Sequence, residues 1–168
     1  TDLDVVILGG GMAGLSLACA IAQDECSHQD LKETSRRSPQ RTLVIEPRSV
    51  YRQDKTWCYW QQDPTPFDEA ITHRWQHWTV SHGGQTQLCS SAQTPYVRVD
   101  SGQFYRIAQQ ILSASRSVTL SLGEQAESLE ADSQGVFVNS TAGDLRAGLA
   151  IDTRPTPIPE GVLLQHFM

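Results

Sequence analysis

The chain has no apolar run long enough to cross a bilayer. Its most apolar stretch, residues 4–18, is short and broken by glycines. No positively charged region precedes that stretch, so it does not read as a secretory signal. There is no basic stripe. Thirteen Lys and Arg face nineteen Asp and Glu, for a net charge of −6, which argues against a nucleic-acid partner. Cysteine is scarce, and Cys19, Cys26, Cys58 and Cys89 form no C-x-x-C pair. They are expected to be reduced thiols of a cytosolic protein, with Cys19 in the first helix. No metal-ligand cluster has a recognisable spacing. His73 and His77 stand four apart, but Trp75–His82 suits a strand, so structural histidines are expected there. What remains is a chain of 168 residues. That is enough for one core burying about 70% of the unfolded surface.

The organising stretch is Asp4-Val5-Val6-Ile7-Leu8-Gly9-Gly10-Gly11-Met12-Ala13-Gly14-Leu15-Ser16-Leu17-Ala18. β-Branched and aliphatic residues give a buried strand. Gly9, Gly11 and Gly14 then give G-x-G-x-x-G, and Met12, Leu15, Leu17, Ala18 and Ile21 give a helix. Gly9 permits the tight turn, Gly11 lets a pyrophosphate approach the backbone, and Gly14 lets the helix pack close to the sheet. The N–H groups at the helix start, from Met12 and Ala13 on, favour anionic phosphates. A strand before the motif and a helix after it are what make it specific.

Residues 24–41 are polar, charged and broken by Pro39, which reads as a surface insertion. Thr42–Glu46 is the second strand. Glu46 at its end suits the acid that accepts the adenosine ribose hydroxyls, at a separation lengthened by the insertion. A bare strand-end carboxylate is the alternative. Arg48 and Arg52 either offer charge to cofactor phosphates or lie on the surface. Thr56-Trp57-Cys58-Tyr59-Trp60 is extended and aromatic, and such an excursion is the habit of FAD-binding rather than NAD-binding domains.

Asp63–Phe67 reads as a turn and Asp68–His73 as a short helix. Trp75–His82 reads as one strand, with Gly83-Gly84 turning into Gln85–Ser91. Trp57, Trp60, Trp75 and Trp78 either line an apolar ligand surface or form the core of a small sheet. Tyr96–Val99 is a strand, and Asp100 or Ser101 caps the helix Gly102–Ala114. Val118–Leu122 is expected to run parallel to the first two strands. Gln125–Glu130, Gly135–Ser140 and Leu145–Ile151 form a meander over one face of the sheet. Asp152 either returns to the cofactor or caps a turn.

The fold class is therefore α/β: a Rossmann-like, glutathione-reductase-like FAD-binding domain with a parallel sheet plus a β-meander, expected to be incomplete at its C-terminus. Residues 1–168 are one dinucleotide-binding domain, and 56–95 are an excursion towards the substrate region. The candidate cofactor residues are Gly9, Gly11, Met12, Ala13, Gly14, Glu46, Arg48, Arg98 and Asp152.

Val6–Ala18, Lys55–Trp60, Tyr96–Asp100 with its following helix, Ile151–Pro155 and Leu164–Phe167 together resemble the lycopene β-cyclases of the bacterial and plant type. The resemblance implies FAD, active in its reduced form, with NAD(P)H as the flavin's reductant. It implies lycopene or a related acyclic carotene as substrate, and a cytoplasmic protein in peripheral contact with a membrane. It also implies closure of lycopene ends into β-ionone rings by protonation, cyclisation and proton loss, with no net redox change. An anionic flavin stabilises such a cation electrostatically. The family's acidic catalytic motif falls beyond Met168, so no catalytic residue is assigned, and residues 1–168 alone are expected not to cyclise lycopene. The alternatives are another FAD-dependent oxidoreductase of this fold, such as an isoprenoid reductase or hydroxylase, and a non-catalytic FAD-fold fragment.

Overall fold

A computed structural model describes residues 3–28 and 40–155. Most of the proposed 24–41 insertion and the Leu164–Phe167 motif lie outside the described residues.

The first strand, β1 (Leu3–Leu8), alternates sharply. Val5 and Ile7 face one side of the sheet, and Val6 and Leu8 face the other. All four are buried, as befits a central parallel strand. β2 (Thr42–Glu46) and β8 (Val118–Leu122) extend the sheet on one flank. β11 (Leu145–Asp152) pairs with β1 on the other. Both β1 neighbours and the β2–β8 pair are parallel.

Helix α1 (Met12–His28) and helix α2 (Ser101–Ala114) cover the Val5–Ile7 face. α1 buries Leu15, Ala18, Cys19 and Ala22, the one-sided spacing of an amphipathic helix. Burial pushes the Cys19 thiol up to about 12, so it stays protonated. Its Sγ lies 3.8 Å from the Ala108 carbonyl of α2. Asp100 caps α2, its carboxylate accepting the Gln103 N–H at 2.9 Å.

The meander is β9 (Ala126–Asp132), β10 (Gly135–Ser140) and β11. It is folded onto the second face, where Ala126, Val138 and Ala147 pack against Val6, Leu8 and Ile45. It also joins the sheet. β11 pairs with β10 through Leu145–Ala147 and with β1 from Ala147 onward.

The excursion forms two small sheets. β3 (Thr56–Trp60), β7 (Tyr96–Asp100) and β4 (Ile71–Trp75) make one, with β7 in the middle. β5 (His77–His82) and β6 (Gln85–Ser90) make a hairpin around Gly83-Gly84. Two expectations are corrected here. The short helix ends at Ala70, and Ile71–Trp75 is a strand because β7 offers it a partner. Trp75–His82 is also not one strand. It breaks at Gln76, where the chain leaves β7 and turns to pair with β6.

Candidate dinucleotide site at the sheet switch point

β1 lies between β2 and β11, and its C-terminal end opens into the glycine turn. In doubly wound sheets the ligand crevice lies at such a point. The three motif glycines differ in surroundings. Gly9 has φ +99°, a conformation only glycine adopts easily. Beyond Gly11 there is open space within 4 Å of where a Cβ would stand, as a close-approaching ligand requires. At Gly14 a Cβ would collide with the Gly9 carbonyl oxygen and stand 2.9 Å from Thr153 Oγ1. Helix and turn are therefore in backbone contact.

Thr153 follows β11 and fastens the turn from above. Its N–H donates to the Leu8 carbonyl at 2.9 Å. Its hydroxyl lies 2.9 Å from the Leu8 oxygen and 3.0 Å from the Gly9 oxygen. Asp152, in register with Leu8, is exposed and paired with Arg154 at 2.8 Å. That pairing, opposed in part by burial, holds the Asp152 carboxyl below its ordinary value.

Glu46 is 4% exposed at the tip of β2. Its Oε2 accepts the Gly10 N–H at 2.7 Å, and its Oε1 accepts the Arg48 N–H at 2.9 Å and Nε–H at 2.7 Å. Arg48 Nη2 adds a longer contact to Oε2 at 3.2 Å. Burial pushes this carboxyl up, but the hydrogen bonds from Arg48 and Gly10 and the guanidinium charge outweigh it, so its pKa is lowered. Arg48 is held in turn by Tyr105, whose hydroxyl accepts from Nη1 at 2.8 Å.

The structure thus brings Gly9, Gly11, Met12, Ala13, Gly14, Glu46, Arg48 and Asp152 to one end of the large sheet. Arg98 stands on β7 of the three-stranded sheet, in register with Cys58 and His73. Arg52 is exposed in the loop after β2. Tyr51 and Tyr105 were not singled out by pattern, and Thr153 entered only as a member of the Ile151–Pro155 segment, without a role of its own. Only Gly10, the middle glycine of the Gly9–Gly11 run and no member of the G-x-G-x-x-G pattern, offered a signal that another group crowds the turn. His73 stacks on Trp75 at 5.4 Å, and no group of three metal-ligating side chains is present among the described residues.

A glycine turn at a sheet switch point, with a buried acid at the end of the next strand, defines a dinucleotide-binding α/β domain of the Rossmann-like FAD-binding fold. The chain belongs to the lycopene cyclase family: the family described as "Lycopene cyclase protein" matches residues 4–168. No curated protein matches. Among solved structures the chain is similar to p-nitrophenol 4-monooxygenase PnpA from Pseudomonas putida, at 16% identity and TM-score 0.65, covering 90% of this chain and 41% of that one. It is also similar to PqsL, a probable FAD-dependent monooxygenase from Pseudomonas aeruginosa, at 14% identity and TM-score 0.62, covering 89% and 42%. A geranylgeranyl bacteriochlorophyll reductase-like protein from Thermoplasma acidophilum matches at 16% identity and TM-score 0.58, covering 90% and 38%. These likenesses establish the fold. The chain spans about two fifths of the length of each of these structures.

Proposed function

We propose that this chain is the FAD-binding part of a lycopene cyclase that closes the ends of lycopene, or a related acyclic carotene, into β-ionone rings without net redox change. The observation that carries the reading is the glycine turn seated beside buried Glu46, in a chain that the family matches from residue 4 to 168. The residues fit the cofactor's adenosine diphosphate half. Gly9 makes the turn, Gly11 leaves room for the pyrophosphate, and the N–H groups of Met12 and Ala13 start a helix whose dipole favours negative charge. Glu46 is the acceptor for the ribose hydroxyls. Arg48 keeps that carboxylate ionised and oriented, and Asp152 stands at the same end of the sheet, whereas Arg98, on β7 of the three-stranded sheet, is assigned no contact in this half. When bound and reduced, with NAD(P)H as electron source, the flavin would supply fixed negative charge to a developing carbocation.

The test is a pigment assay. The complete gene is expressed in lycopene-accumulating cells beside residues 1–168 alone. β- or γ-Carotene from the complete gene and none from residues 1–168 is the expected result. Untouched lycopene, with soluble FAD-loaded protein, would overturn the cyclase reading and favour a redox flavoprotein.

Peripheral membrane contact is part of the same proposal. Among the described residues no helix is long and apolar enough to cross a membrane. The β5–β6 arm supports contact of another kind. From Trp75 to Val97 there is no Asp, Glu, Lys or Arg, in a chain of net charge −6. On the arm Val80 is 55% exposed and Leu88 69%, and beside it Trp60 of β3, 6.1 Å from the Trp78 ring, is 55% and Trp75 of β4 41%. Tryptophan suits the boundary between lipid and water. We expect the chain to float with phosphatidylcholine vesicles, and a Val80→Asp, Leu88→Asp double variant to remain unbound. Equal flotation of both, or of neither, removes the arm from the reading.

A further inference from the structure

Gly10 has no role in the G-x-G-x-x-G pattern, yet its backbone groups are held from both sides. Its N–H donates to Glu46 Oε2 at 2.7 Å. Its carbonyl accepts from the Tyr51 hydroxyl at 2.9 Å and from Arg48 Nη2 at 3.2 Å. The Tyr51 ring stacks on Tyr105 at 4.1 Å. The Arg48 guanidinium lies 4.9 Å and 5.1 Å from the two ring centres. A Cβ on Gly10 would run into the Tyr51 hydroxyl, so this residue must be glycine for the contact to exist. Burial holds the Tyr51 hydroxyl well above tyrosine's ordinary pKa, so it remains a donor.

The Gly10 carbonyl belongs to the same peptide plane as the Gly11 N–H. The peptide is trans, so the two groups point in opposite directions. Tying the carbonyl to Tyr51 and Arg48 therefore turns the Gly11 N–H away from those two side chains. Two adjacent glycines place little steric restraint on rotation of the peptide between them. Once rotated, the plane would present a carbonyl oxygen to an incoming anion.

We propose that Tyr51, with Arg48 and Tyr105 behind it, is a positioning residue that prevents this peptide flip and so keeps the turn a donor to pyrophosphate. The proposal rests on the dinucleotide reading above. Tyr105 fixes the Tyr51 ring by stacking and fixes Arg48 by accepting its Nη1–H, so the clamp reaches the turn from α2. Its action is on the phosphates, not on the adenosine.

The test uses Tyr51→Phe, which retains the ring stack and removes only the donor. Binding of ADP and of adenosine to the whole chain is measured by calorimetry. One net hydrogen bond corresponds to about a three- to tenfold change. ADP is expected to weaken by about that factor in the variant, with adenosine unchanged. Unchanged ADP binding, or equal weakening of both ligands, would overturn the clamp. If the unsubstituted chain binds neither ligand, the dinucleotide reading fails, and amide relaxation dispersion decides the clamp by itself. Exchange broadening at Gly10 and Gly11 in Tyr51→Phe alone supports it, and identical relaxation in both proteins rejects it.

Discussion

Replacing Gly14 with alanine is expected to destabilise the fold, whereas the same change at Gly11 is expected to leave its stability nearly unchanged. Helix propensity alone favours alanine by about 1 kcal/mol. At Gly14 that gain is overwhelmed. The new Cβ would meet the Gly9 carbonyl oxygen, with the Gly9 carbonyl carbon at 3.2 Å and Thr153 Oγ1 at 2.9 Å. Two of those atoms are backbone, pinned by the bond from the Gly9 N–H to the Ile45 carbonyl at 2.9 Å and by the Thr153 contacts. Overpacking against atoms that cannot move falls at the upper end of the usual range, about 3 kcal/mol. Gly11 has nothing within 4 Å of its Cβ position, so alanine there meets no clash, and the gain of about 0.5 kcal/mol from restricting the unfolded chain is set against alanine's being a poorer N-cap for α1 than glycine. Urea unfolding separates the two variants, and ADP binding is expected to fall in both. A Gly14→Ala chain as stable as the original would refute the packing argument. A Gly11→Ala chain with undiminished ADP affinity would refute the assignment of that open space to pyrophosphate.

Removal of the Glu46 carboxylate is the second large effect. Glu46→Ala strands the Gly10 N–H and the Arg48 N–H, and it leaves a guanidinium partly enclosed by two tyrosine rings with the more distant Asp54 carboxylate, at 3.6 Å, beside it. Breaking a buried charge pair from one side costs about 3–5 kcal/mol. Arg48 retains 30% side-chain exposure, which places the expected loss near the lower figure, about 3 kcal/mol. The effect has a pH signature. The Glu46 pKa is lowered in the folded state, so its contribution is fully present above the unfolded carboxyl value of about 4.3. It is lost as pH falls through the folded value, when the folded protein must take up the proton. Asp68, Asp132 and Asp152 are lowered too, so acid unfolding is a sum. Glu46→Gln isolates one component. Urea unfolding across an acid pH series is expected to show a smaller loss of stability in Glu46→Gln than in the original chain. Parallel curves would mean that the carboxylate contributes nothing specific.

Local pattern carried much of this fold. The Val5–Leu8 apolar run, the Gly9–Gly14 motif and the apolar face of α2 each draw on neighbours a few residues away, and strand, turn and helix followed from them. Glu46 was legible for the same reason, as the last residue of a strand with a known place beside the turn. The excursion was less so. Whether Ile71–Trp75 extends or coils depends on β7, which arrives twenty residues later and pairs with both β3 and β4. Thr153 was illegible because its partners, Leu8 and Gly9, lie at the other end of the described chain. Tyr51 and Tyr105 carry no sequence mark of their own. Each is an ordinary aromatic until the fold stacks one on the other.

The double pairing of β11 bears on the order in which the protein is made. β1 and the glycine turn leave the ribosome before the strands that come to flank them. β1 gains one neighbour when β2 emerges, but its other edge stays bare until residues 147–152 arrive. The threonine that fastens the turn comes one residue later. Synthesis runs at about 5–20 residues per second, so the nascent chain carries an open central strand edge for several seconds or longer. Such an edge invites pairing with the wrong strand. The first-made part of the candidate site is therefore completed only once residues 147–153 have arrived, and a chaperone acting on this chain would find its client in that interval.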